Sequence, residues 1–232
     1  MARILRPCGG VSAAVGSQRQ EHPGGYSVIT WTVRLRSKPD RIDQWIAIAR
    51  ELTETSNRMD PGCVVYICLQ HLDDPQEFTW YEQWADMATL RAHVDRINPL
   101  LGGPPRPGEW TAPRLFEVLE RREQLTWHEF QERDPHLRDW FAPGLSQLVY
   151  TTVKPGHADA YAALALDLTR SAQAAEGCVT WILHQNADRP DLFMLFEQWR
   201  DAAAREAWAA SVADRVRDHV AAEEVVACRC VA

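Results

Sequence analysis

The sequence predicts an α+β protein built from two tandem ferredoxin-like units, each running β-α-β-β-α-β. Three observations carry that expectation. One phrase occurs twice, as Phe78-Thr79-Trp80-Tyr81-Glu82-Gln83-Trp84-Ala85-Asp86 and as Phe193-Met194-Leu195-Phe196-Glu197-Gln198-Trp199-Arg200-Asp201. The offset between copies also holds at other markers. Trp84 and Trp199, Cys63 and Cys178, and Pro75 and Pro190 are each 115 residues apart, and Pro39 and Pro155 are 116 apart. An ordered, nearly constant offset of that length marks a duplicated domain and not a solenoid repeat. Finally, each phrase is an apolar stretch of strand character that runs into Glu-Gln-Trp and then meets Asp before a run of helical spacing, so a strand-to-helix junction occurs twice.

Taken in order, Tyr26 to Leu35 is rich in Val, Ile, Thr and Trp and reads as a strand. Lys38-Pro39-Asp40 ends it, with Asp40 placed to cap a helix from Arg41 to Asn57 whose Ile42, Trp45, Ile46, Ala49 and Leu52 share one face. After the Asp60-Pro61-Gly62 turn, Cys63 to His71 and Glu77 to Trp84 form a hairpin. Asp86 to Arg96 is a second helix, and Leu115 to Leu119, beyond a Pro/Gly-rich loop, is a short fourth strand. The pattern restarts at Leu145. Gln147 to Val153, Cys178 to Gln185, Leu192 to Trp199 and Val225 to Val231 are its strands, and Ala158 to Ala174 and Asp201 to His219 its helices. The domain bounds are therefore 26–119 and 145–232, with a loose tail over 1–25 and a charged, partly helical linker over 120–144. The strands are apolar on both faces. Helices cover one face, so the two sheets are expected to face each other within the chain.

The composition is ordinary for a globular protein, and 232 residues accommodate two domains. A formal charge of −7 argues against a nucleic-acid partner. No apolar run has the length of a membrane span, and Pro7, Gly9 and Gly10 interrupt any signal-peptide core, so a cytoplasmic protein is expected. Cys63 and Cys178 read as small packing residues, and the spacing of Cys228 and Cys230 is not that of a zinc site, so no metal is expected. The ten tryptophans serve either as core bulk or as walls for a flat aromatic ligand.

Lys38-Pro39, Pro61-Gly62-Cys63, Glu82-Gln83-Trp84 and His93, with Lys154-Pro155-Gly156, Gly177-Cys178 and Glu197-Gln198-Trp199, resemble the pattern of the antibiotic biosynthesis monooxygenase (ABM) family. Trp208 stands where the second copy would carry the family's helix His. The resemblance implies a dimeric α+β barrel, formed here inside one chain. Members that act on aromatic polyketides include small anthrone oxygenases, whose Tyr-x-Gln-Trp segment is similar to Tyr81-Glu82-Gln83-Trp84. In that group the Trp contacts the pocket. The Asn four residues earlier is replaced here by Trp80 and Leu195, and a later Tyr by Leu90 and Arg205. Duplicated forms of this length resemble the oxygenases that open the B ring of angucyclinones, which implies reduced flavin (FADH2 or FMNH2) as a diffusible cosubstrate and no tightly bound cofactor. The implied partners are an aromatic polyketide and dioxygen, and further homodimerisation stays open. The alternatives are a haem-binding or haem-degrading protein, for which Trp208 and His219 would serve, a non-oxidative polyketide cyclase or isomerase, and a chain in which one copy is scaffold.

Such an oxygenase needs an apolar slot, a base near a phenol and room for dioxygen. Phe78, Trp80, Glu82 and Trp84 share one strand face, as do Phe193, Leu195, Glu197 and Trp199. A carboxylate among tryptophans is desolvated and suits a base, which makes Glu82 and Glu197 candidates. Their alternative is a structural bond at the helix start. His71 and His184, at the ends of equivalent strands, are the imidazole candidates. Trp181, Asn186, Trp199, Trp208, Trp80, Trp84 and His93 are the expected substrate contacts. The second copy is the preferred pocket, because Trp181, His184 and Asn186 are close together in its sequence. No Gly-x-Ser-x-Gly elbow, dinucleotide fingerprint or phosphate loop is present.

Overall fold

The computed structural model describes residues 28–97, 115–129 and 144–231. The first copy contains β1 (Ile29–Ser37), α1 (Ile42–Met59), β2 (Cys63–His71), β3 (Glu77–Trp84), α2 (Met87–Ile97), a single turn α3 (Leu115–Val118) and β4 (Leu119–Glu129). The second contains β5 (Leu145–Val153), α4 (Ala158–Gln173), β6 (Cys178–Asn186), β7 (Leu192–Trp199), α5 (Ala202–Arg217) and β8 (Val220–Cys230).

The repeated motifs are the joints of these units. Lys38 and Lys154 each place their ammonium on a carbonyl before the unit's last strand, Glu117 and Asp218, at 2.8 Å in both copies. Gly62 and Gly177 have φ near +80°, which favours glycine. A Cβ on either would stand 2.6 Å from Thr89 or 2.7 Å from Ala204, so these glycines also let the turn pass beneath the helix that follows. Asp86 and Asp201 open α2 and α5 by accepting the N–H of Thr89 and Ala204, both at 2.8 Å.

All eight strands form one closed antiparallel barrel in the order β1-β3-β2-β8-β5-β7-β6-β4. Each copy supplies four strands. The seams are β2 with β8, where Leu69 faces Cys230, and β4 with β6, where Trp127 faces Asn186. This is the ferredoxin-like pair of the dimeric α+β barrel, closed within a single chain.

Strand alternation sorts the side chains into three cores. Phe78, Trp80 and Trp84 point outward and pack with Trp45, Leu52 and Leu90 beneath the first copy's helices. Phe193, Leu195 and Trp199 do the same with Tyr161, Ala165 and Trp181 in the second. The opposite parity, Tyr81, Met194 and Phe196, meets Ile67, Leu69, Leu148, Ile182 and Trp127 inside the barrel. Each fully buried aliphatic or aromatic side chain there contributes roughly 1.5–3 kcal/mol.

The expected fourth strand at Leu115 to Leu119 is displaced. That stretch is mostly α3, and the strand runs over Leu119–Glu129, inside the segment read as a partly helical linker. Its inward Trp127 donates to Thr32 Oγ1 at 2.8 Å, while Glu120, Glu123 and Gln124 are exposed. A strand with one solvated face alternates with charge, and charge reads as linker. The remainder of that segment, with Trp140, and the tail 1–25 lie outside the described residues. The last strand is longer than expected for the same reason, since Glu223 and Glu224 are exposed within it.

Candidate active site

The densest chemistry lies where α2 packs on the first sheet. Asp60 follows the last turn of α1, and its N–H donates to Ser56 O at 3.1 Å. Its carboxylate accepts from His93 Nδ1 at 2.7 Å and from Arg96 Nε and Nη2 at 2.6 and 2.7 Å. Arg96 also reaches Ser56 Oγ at 2.9 Å. The His93 ring, 1% exposed, lies 4.5 Å from Trp84 and 4.9 Å from Tyr66, centroid to centroid. Burial pushes its pKa down to about 4, against the hydrogen bond and charge of Asp60. Burial also acts to raise the Asp60 carboxyl, but the hydrogen bonds from Arg96 and His93 prevail and hold it below the usual value. At neutral pH the site therefore holds a carboxylate and a neutral imidazole. Nδ1–H points to Asp60, which leaves the Nε2 lone pair free to accept. That Nε2 has no hydrogen-bond partner among the described residues.

On the same helix, Met87, Leu90, Arg91, Val94 and Asp95 line a cleft of about 320 Å³, closed on the sheet side by Trp31 of β1 and Thr126 of β4. Val94 is the neighbour of His93, and Leu90 lies one turn before it. Its walls are mixed, with apolar Trp31, Met87, Leu90 and Val94 beside the charged Arg91 and Asp95 and the hydroxyl of Thr126.

The second copy lacks the carboxylate–imidazole pair at the matching place. Ala175, Trp208 and Ser211 replace Asp60, His93 and Arg96 at the 115-residue offset. The Trp208 ring lies 4.5 Å from Trp181 and 5.7 Å from Trp199. Trp181 donates its indole N–H to Thr169 Oγ1 at 3.1 Å.

The grouping of Trp181, His184 and Asn186 around one pocket does not occur. Neighbouring strand residues point to opposite faces, so Trp181 faces the helices while His184 and Asn186 face the barrel interior. His184 is fully buried and joins Tyr81 Oη at 3.1 Å and Met194 O at 3.1 Å, and burial lowers its pKa to about 3. Asn186 closes the β6–β7 turn, accepting the N–H groups of Asp188 and Arg189 at 3.1 and 3.0 Å. His71 holds Thr79 Oγ1 at 2.9 Å inside the barrel, and burial lowers its pKa to about 4.

The two carboxylates are engaged in structural bonds. Glu82 and Glu197 accept the indole N–H of Trp84 and Trp199 at 3.1 and 2.7 Å, which explains the repeated Glu-Gln-Trp. Glu197 also accepts from Arg205 Nε at 3.1 Å. Burial raises its pKa against the pull of Arg205 and the Trp199 bond. The Trp80 ring lies 4.5 Å from Tyr66, tilted by 40°, in the first core. Sequence reasoning passed over Asp60, Arg96 and Trp31. Asp60 sits in an Asp-Pro-Gly turn whose residue types signalled only the turn.

A family model described as antibiotic biosynthesis monooxygenase matches residues 28–96 and again 145–222. No curated protein sequence matches the chain. Among solved structures, the chain is similar to a "putative monooxygenase" from Lactobacillus acidophilus NCFM, with TM-score 0.68, 11% identity, and 89% of this chain and 95% of that one covered. A "putative monooxygenase" from Fusobacterium nucleatum gives TM-score 0.70, 10% identity, and coverage of 89% and 94%. An "anthrone oxidase-like protein" gives TM-score 0.56, 14% identity, and coverage of 89% and 92%. At these identities the likeness concerns the fold.

Proposed function

Because the chain belongs to the antibiotic biosynthesis monooxygenase family, with the family's domain present in tandem, we propose that it is an oxygenase with one working site, in the first copy. The observation that carries this reading is the buried Asp60–His93 pair with its unpartnered Nε2, on the helix that lines the cleft. The substrate is an aromatic polyketide of anthrone or angucyclinone type, held between Trp31 and the apolar side of α2. His93 does not itself line the cleft and its Nε2 is buried, so in this reading substrate binding opens the wall at Leu90 and Val94 before Nε2 takes the phenolic proton. Asp60 fixes the tautomer and stabilises the imidazolium that results. The electron-rich phenolate then passes an electron to dioxygen without a metal. For an anthrone, one oxygen atom becomes the new carbonyl and the other leaves as water. For an angucyclinone, reduced flavin is a diffusing cosubstrate that supplies two electrons and ring opening follows.

The first experiment is oxygen uptake by the purified chain with an anthrone and with a dehydrorabelomycin-type angucyclinone, with and without reduced flavin, and product masses by chromatography. Uptake without flavin, with the methylene converted to a carbonyl, assigns the anthrone chemistry. Uptake only with reduced flavin, with ring-opened product, assigns the angucyclinone chemistry. Unchanged substrate in every arm overturns the oxygenase reading. The haem alternative draws no support from the site, since Trp208 packs on Trp181 and His219 lies past the end of α5, beside His157.

A further inference from the structure

The loops flanking the second copy's helices meet at two imidazoles, neither of which lines the cleft. His157 precedes α4, and His219 lies between α5 and β8. Their Nδ1 atoms are 3.2 Å apart, with the ring planes at 74°. Both rings are half-buried. The backbone fixes the meeting, because Lys154 N–H donates to His219 O at 2.9 Å and His157 N–H to Lys154 O at 3.0 Å. The first copy builds the same joint without histidine. There Lys38 N–H donates to Val118 O at 2.8 Å and Arg41 N–H to Lys38 O at 3.0 Å, so Arg41 and Val118 occupy the two places. The loop geometry therefore does not require the imidazole pair.

Imidazole nitrogens stand about 2.0–2.1 Å from a zinc ion, and a tetrahedral angle then sets two of them roughly 3.3 Å apart. The span between His157 and His219 is close to that value. The geometry points to a binding site for a divalent transition metal of the zinc class, with Nδ1 of His157 and Nδ1 of His219 as its protein ligands. In the metal-free pair one ring donates Nδ1–H to the other. Binding moves that proton to Nε2, so that both Nδ1 lone pairs face the ion. No group of three or more His, Cys, Asp or Glu suited to a metal occurs among the described residues. Water therefore completes the coordination, which the half-open rings permit, and the ion is exchangeable, unlike one in a closed four-ligand site. Bound there, it clamps the start of α4 to the α5–β8 turn.

The test uses the full chain stripped by a chelator and then titrated with zinc chloride. Calorimetry, thermal unfolding and NMR of the histidine rings are read for the parent and for His157→Gln and His219→Gln. The expected result is one equivalent bound in the micromolar range, a rise in Tm, and movement of the His157 and His219 ring signals. Each variant should bind at least about tenfold more weakly. Glutamine keeps the size and polarity of the site, and the Lys154 backbone bonds do not involve the side chains, so both variants should fold. Parent binding no tighter than millimolar overturns the site, as do variants with parent affinity, which would place the ion on other residues. Should a variant fail to fold, unmoved ring signals of His157 and His219 in the parent overturn it equally.

Discussion

Tyr81 of the first copy donates its hydroxyl to Nε2 of His184 of the second, 3.1 Å away in the middle of the barrel. The direction follows from the other end of the imidazole. Nδ1 faces the Met194 carbonyl, which can only accept, so Nδ1 carries the hydrogen and Nε2 accepts. Gln83 donates to the same Tyr81 oxygen at 3.0 Å, and the Tyr81 ring stacks on Phe196 at 4.8 Å. The bond has no counterpart across the repeat, since Phe196 and Leu69 stand at the matching places.

Tyr81→Phe keeps the ring and its stacking but takes the donor from His184 and an acceptor from Gln83. Leaving a buried polar atom without its partner costs about 1–3 kcal/mol. Urea unfolding should show a lower midpoint with an unchanged slope. An unmoved midpoint would mean that the Tyr81–His184 bond contributes nothing to holding the halves together.

Acid should destabilise the fold before the carboxylates titrate. His184 has its pKa lowered to about 3 by burial, and His71 and His93 are lowered to about 4, mainly by burial. The unfolded chain takes up these protons near pH 6.5, the folded chain only below about 4. Stability is therefore complete above that ordinary value and falls as the pH drops toward 4. For a single group such as His184 the slope reaches about 1.4 kcal/mol per pH unit. Unfolding free energies of the parent and His184→Gln between pH 7 and pH 4 check this. The variant should lose about one proton's worth of slope, and parallel curves would count against a neutral buried His184.

His93→Gln should lower the oxygenation rate by about a hundredfold or more, the usual scale for a lost base. Asp60→Asn keeps the imidazole but weakens its orientation and leaves Arg96 without an anion, so the rate should fall less and stability should fall as well. Single-turnover rates together with thermal unfolding separate the two effects. Wild-type rates in His93→Gln would remove His93 from the chemistry.

Trp208→Ala should create a space between Trp181 and Trp199. Large-to-small changes in a core cost about 3–5 kcal/mol, and Trp208 is only half-buried, so about 2 kcal/mol is expected. The variant should take up a small aromatic such as indole, visible as ligand-dependent recovery of Tm. The parent should not respond through this copy.

The joints of the fold were legible because they are local. Lys-Pro, Gly-Cys and Glu-Gln-Trp each act within a few residues or against the next element, and so they recur at constant spacing. β4 was not legible, because its outer face is solvated and its inner residues, Leu125 and Trp127, are spaced among charges. The alternation of the two repeated strands put Trp80 and Trp84, and Trp199, on the faces that pack under the helices. The sequence could not place Asp60, whose carboxylate meets a ring 33 residues later through tertiary packing. Nor could it see that Tyr81 and His184 meet across 103 residues of chain. The opposite faces of Trp181 and His184, by contrast, follow from strand alternation, which a grouping by closeness in sequence left unapplied to β6.

The closure of the barrel within one polypeptide, through two seams of different residues, frees the protein from symmetry. In a ring of two identical chains every replacement is made twice, and a change that spoils one pocket spoils both. Here each replacement is made once. One half can exchange an imidazole for the indole of Trp208 while the other keeps His93, and dilution does not take the halves apart.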